Sequence, residues 1–132
     1  MDVGFYRGRH FTTFVEDVKA LRRTKRNGEA EQLLLRLVEA TEAEDAAEDM
    51  GVAPWYYEQL AILYRERTDY RSEVEILGRY SKQKHAPGAL PARLLERSAK
   101  AQLLLKRSKE PELTQQQTLK SDGRKRGWAW PR

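Results

Sequence analysis

Apolar residues recur along this chain in steps of three and four, separated by short polar interruptions, and that spacing predicts helices. Phe11, Phe14, Val15, Val18 and Leu21 share one face of a first helix expected between His10 and about Arg26. The turn-prone run Thr24-Lys25-Arg26-Asn27-Gly28 breaks the period, which resumes with Ala30, Leu33, Leu34, Leu37, Val38 and Ala40. The second helix is expected to continue through the acidic stretch from Glu39 to Asp49 and to end at Met50-Gly51, where glycine suits the C-terminal exit.

Pro54 suits a first helical position, because its missing N–H would be unpaired there in any case. Behind it Trp55, Tyr56, Tyr57, Leu60, Ile62, Leu63 and Tyr64 make the most strongly apolar helix. Helical spacing cannot bury all of these aromatics on one side, so Trp55 or Tyr56 is expected to reach the surface. Thr68-Asp69 interrupts again, with Asp69 placed to cap a fourth helix carrying Tyr70, Val74, Ile76, Leu77 and Tyr80. The run from Lys84 to Ala89 contains Pro87-Gly88, and a fifth helix starts near Pro91 with Leu90, Leu94, Ala101 and Leu105 on one side. The expected fold is all-α: two antiparallel helical hairpins and a C-terminal capping helix.

Beyond Lys106 the apolar period disappears into Ser-Lys-Glu-Pro-Glu, three glutamines and the basic run from Gly123 to Trp130. The chain thus divides into a helical domain, residues 1–107, and a tail, residues 108–132, expected to be disordered in isolation. The formal charge of +5 follows the same division. Residues 1–105 carry 17 Lys and Arg against 17 Asp and Glu, whereas residues 106–132 carry 8 against 3. The body is neutral and the tail holds the whole excess.

With no cysteine, disulfide frameworks, cysteine zinc sites and thiol catalysis are excluded. The segment Met1-Asp2-Val3-Gly4-Phe5-Tyr6-Arg7 lacks the apolar stretch of a secretory signal, and no apolar run approaches the roughly 20 residues of a membrane span, so a cytoplasmic protein is expected. His10 and His85 lie near no serine elbow, Gly-rich phosphate loop or His-Glu metal motif, which points away from an enzyme and from a cofactor. The carboxylates Glu39, Glu42, Glu44, Asp45, Glu48 and Asp49 are spread around a helix without a Gly-centred calcium loop, and read as a solvated face.

Tyr57, Leu60, Ala61 and Tyr64, followed by Thr68, Asp69 and Tyr70, resemble the tetratricopeptide repeat in residue type and spacing. Phe14, Val18, Leu21 and Ala30 resemble it in the earlier hairpin. Asp17 stands where that family prefers Leu, and Glu73 where it prefers Ala. The matched Leu21 and Tyr64 are 43 residues apart, against about 34 in a standard repeat. The resemblance covers roughly residues 10–105. The segment from Ala53 to Ala61 is also similar to segments of short bacterial or phage proteins, which implies no activity.

The tetratricopeptide resemblance implies a scaffold that binds a protein or peptide in a groove lined by the first helix of each hairpin. Carried over residue by residue, it assigns Val15, Glu16, Lys19, Arg22 and Arg23, and then Glu58, Gln59, Ile62, Arg65 and Glu66, to that groove. Lys19, Arg22, Arg23 and Arg65 have the chemistry to clamp the carboxylates of an acidic peptide, since a guanidinium presents a planar fork of donors. They equally fit an ordinary solvated helix face. In the tail, Arg124, Lys125, Arg126, Trp128 and Trp130 interleave cations with flat rings, the pairing that suits phosphates and bases of a single-stranded nucleic acid. The same residues suit a short partner-binding peptide or a solubilising terminus. Self-assembly through an apolar surface left at the ends of a short array is a third possibility.

Overall fold

A small hairpin that helical periodicity does not foretell precedes the helices. In the computed structural model, which describes residues 3–85 and 90–121 and the side chains of the last helix through Ser108, β1 (Phe5–Tyr6) pairs antiparallel with β2 (Arg9–His10). The two loop residues Arg7 and Gly8 both take positive φ, 52° and 78°, the backbone that a two-residue hairpin turn requires. The chain then makes a 3₁₀ turn over Phe11–Phe14, where the Phe11 N–H donates to the Gly4 carbonyl and the His10 ring accepts from the Thr12 N–H. The first helix, α1 (Val15–Arg23), therefore begins later than His10, because His10 is held in extended conformation as the cap of that turn.

Among the described residues four more helices follow: α2 (Asn27–Glu48), α3 (Pro54–Glu66), α4 (Tyr70–Ser81) and α5 (Leu90–Ser121). The fold is all-α apart from the hairpin. Each helix packs on the next, and α5 also rests on α3. Val18, Leu34, Leu37, Tyr57, Leu60, Ala61, Leu63, Leu77, Leu94 and Ala101 are buried in one continuous core. Tyr56 is buried too, its hydroxyl donating to the Phe11 carbonyl at 3.1 Å, while Trp55 stays half-buried at the surface.

The connections follow from backbone chemistry. Asp49, in left-handed conformation at φ 56°, ends α2 ahead of Gly51. Pro54 opens α3, and the Asp69 carboxylate accepts from the Ser72 amide at 3.2 Å to cap α4. The Val52 amide donates to the Lys84 carbonyl at 2.7 Å, tying the α2–α3 link to the end of α4. There the His85 ring stacks on Tyr80 with centroids 4.1 Å apart.

One expected boundary is revised. The α5 backbone runs through residue 108 and on to Ser121, well past the point at which the apolar period fades. Lys, Glu, Gln and Leu in that stretch carry favourable helix propensity without any need for an apolar face, which offsets the interior Pro111 with its missing donor. Residues 122–132 lie outside the described residues.

Candidate functional site

The ten positions expected in the groove fall on two helices, α1 and α3. On α1, Val15, Lys19 and Arg22 follow one another at four- and three-residue steps, with Arg23 beside them. On α3, Trp55, Gln59, Ile62 and Glu66 repeat the same spacing. The two rows meet where the Arg22 guanidinium donates to both Glu66 carboxylate oxygens at 2.9 and 2.8 Å.

Several of their charges already have partners on other helices. Arg22 is one. Glu58 is buried and accepts a two-point contact from Arg93 of α5 at 2.7 and 2.9 Å. Arg65 meets Glu73 of α4 at 3.0 and 2.8 Å and also donates to the Arg97 carbonyl of α5 at 3.2 Å. Glu73 is wholly buried and takes a second cation, Arg97, at 3.3 Å. A carboxylate with no access to water is tolerated only when its charge and lone pairs are met in this way. Lys19 and Arg23 remain exposed, Lys19 only loosely paired with Glu16 at 3.6 Å, and Gln59 and Ile62 are half-buried. Arg124, Lys125, Arg126, Trp128 and Trp130 lie outside the described residues.

The acidic stretch of α2 is less solvated than its sequence suggests. Glu42 accepts from the Tyr57 hydroxyl at 2.6 Å and from Arg79 at 2.8 and 2.7 Å. Glu44 lies 2.6 Å from the His10 ring, fastening the hairpin to α2, and Asp45 accepts from the Gly51 amide at 2.7 Å. Glu31 likewise accepts from Tyr64 at 2.9 Å and from Arg67 at 2.7 Å. Burial pushes the Tyr57 and Tyr64 phenols well above the ordinary tyrosine range, and the neighbouring carboxylates add to it. Tyr56 is pushed up to about 12 by burial. The hydrogen bond to Glu42 raises Arg79. Among the described residues no three His, Asp or Glu side chains converge as ion ligands.

A feature that sequence reasoning missed lies on the other side of α1. An open cleft of about 710 Å³ separates the hairpin, α1 and α2, with Tyr6, Phe14, Leu21 and Leu33 as its floor and Arg7, Asp17, Glu29 and Arg36 on its rim. The available signal was local: Arg7-Gly8 between two short pairs, Phe5-Tyr6 and Arg9-His10, is a hairpin pattern too brief to register as periodicity.

Comparison with known proteins finds no matching family model, curated protein or solved structure. The class defined by the fold alone is an all-α protein of packed consecutive helices. Among the described residues no helix is long and apolar enough to cross a membrane.

Proposed function

We propose that this chain is a non-enzymatic binding scaffold, akin to the tetratricopeptide hairpins it resembles, which holds an acidic peptide or protein segment along the face shared by α1 and α3. The observation that carries this reading is the half-buried strip Trp55, Gln59 and Ile62 on α3, tied through Glu66 and Arg22 to α1, which carries the exposed cations Lys19 and Arg23. Such a strip offers an apolar anchor and amide donors, with charges at the rim where they steer an anionic partner. The Arg22–Glu66 pair and the Arg65–Glu73–Arg97 cluster support it in a second way. They brace α1, α3, α4 and α5 against one another, so little ordering cost remains on binding.

Selection of displayed random peptides on the full chain tests this. The expected binders are rich in Asp and Glu around one apolar side chain, and both Arg23→Glu and Ile62→Glu weaken them by about tenfold or more. Binders that hold both variants as tightly as the parent would rule this face out.

A second reading rests on the excess of cations in residues 106–132. In it the tail, through Arg124, Lys125, Arg126, Trp128 and Trp130, contacts single-stranded nucleic acid while the helical body acts as an adaptor. Its signature is affinity that falls steeply with salt, since each phosphate contact releases counterions, whereas an apolar-anchored peptide weakens far less.

A further inference from the structure

We propose that the peptide site continues onto α5, where Arg93 and Lys100 receive carboxylates, so that the segment bound carries acidic residues on both sides of its apolar anchor. This rests on the reading of the α1–α3 face given above and specifies the partner's charge pattern. α5 packs directly on α3. Arg93 holds Glu58 at 2.7 and 2.9 Å, and the Arg97 carbonyl accepts from Arg65 at 3.2 Å. Glu58, Ile62 and Arg65 on α3 follow one another by four and then three residues, as do Arg93, Arg97 and Lys100 on α5, so two matching rows lie side by side. The half-buried Ile62, the apolar anchor, thus belongs to the row that meets α5.

The three cations of the α5 row differ in what they leave open. Arg97 turns to the buried Glu73 and is 23% exposed. Arg93 keeps 59% of its side chain exposed. Glu58 takes its Nε and one terminal nitrogen, which leaves the donors of the other terminal nitrogen for a second carboxylate. Lys100 is exposed and has no ion pair among the described residues.

Charge is also separated across α3. At about 100° per residue, Trp55, Gln59, Ile62 and Glu66 fall within an arc of about 60°, and Tyr57 and Tyr64 lie about 180° from its centre. Those tyrosines donate to Glu42 and Glu31 of α2, a helix with seven acidic residues and one arginine. α5 from Pro91 to Ser108 has five cations and one acid, Glu96. An anionic segment is therefore repelled behind α3 and drawn to its front. Glu66 within the strip and Glu96 near Lys100 divide the cations into separate points, which suits discrete carboxylates better than the continuous basic track of a nucleic-acid site. Packed helix axes lie about 8–10 Å apart and an extended chain advances about 3.3–3.6 Å per residue, so in a segment crossing the helices a carboxylate on α5 stands about three residues from the side chain at Ile62.

Fluorescence anisotropy of a labelled peptide, with an Asp pair about three residues to each side of a central Leu, tests this on the full chain. The two-sided peptide is expected to bind about tenfold more tightly than one that keeps a single pair. Lys100→Glu removes that advantage with helicity unchanged, and exchanging the Asp pair at one end of the peptide for Lys restores binding to that variant. Lys82→Glu, the same charge change at the exposed end of α4, leaves both affinities unaltered. Equal affinity for the two peptides, or a loss with Lys82→Glu as large as with Lys100→Glu, overturns the extension onto α5; the α1–α3 reading survives that result when Arg23→Glu still weakens both peptides. Displacement of the peptide by a lower concentration of single-stranded oligothymidylate overturns the choice of an acidic peptide. Failure of either peptide to bind removes this inference together with the reading beneath it.

Discussion

Thr68 holds a left-handed backbone, φ 55°, which a β-branched side chain adopts against steric repulsion. The turn it serves explains why the conformation persists. With Thr68 so placed, its amide donates to the Arg65 carbonyl at 2.9 Å and the Asp69 amide to the Tyr64 carbonyl at 2.9 Å, meeting carbonyls left open at the end of α3. Glycine reaches the same conformation without a Cβ penalty, so Thr68→Gly is expected to stabilise the protein by about 1 kcal/mol and raise the thermal midpoint by about 4 °C. An unchanged midpoint in a melting experiment would show that the threonine carries no such strain.

Among the elements, α3, α4 and α5 are joined by Glu73. It stands where the repeat family prefers a small residue, and the sequence marks it only as a departure. The structure gives it a physical role, since it accepts from both Arg65 and Arg97 while wholly buried. Removing one member of a buried ion cluster strands the others, so Glu73→Ala is expected to cost about 3 kcal/mol in denaturant unfolding. If the small residue alone mattered for close approach of the helices, the same substitution would be neutral or favourable. A cycle with Arg65→Met separates the two accounts, because residues of one network give non-additive losses.

At the scale of the whole molecule the tyrosines set the response to alkali. Tyr56, Tyr57 and Tyr64 are held neutral by burial, with Tyr56 shifted from 10.0 to about 12 and the other two shifted upward as well. In the unfolded chain they ionise near 10, so above that pH the unfolded state has lost protons that the folded state keeps. Stability is therefore full below pH 10 and falls as pH rises toward the folded values, by about 1.4 kcal/mol per pH unit for each tyrosine. Denaturation midpoints followed upward from pH 8, with phenolate absorbance as the monitor, are expected to decline only past about pH 10. A midpoint that stays level through pH 12 would contradict the burial of these phenols.

The helices were legible in the sequence because each is written in local terms. A period near 3.6, Pro54 at a helix start, Asp69 as a cap and Gly51 after an exit all act within one or two turns of chain. The hairpin at Phe5–His10 was not, since two residues per strand are too few to set up an alternation. The residues assigned to a groove were legible as positions on α1 and α3, but which of their charges are spent on other helices was not. Whether Arg22, Arg65 and Glu58 face a partner or each other depends on Glu66, Glu73 and Arg93, which lie between 8 and 44 residues away in the chain. Local pattern thus determined which segments become helices and which side of each is apolar. Only the tertiary structure decided which charges neutralise one another and which side chains are left for a partner, because Coulomb attraction and hydrogen bonding act across space and are indifferent to sequence order.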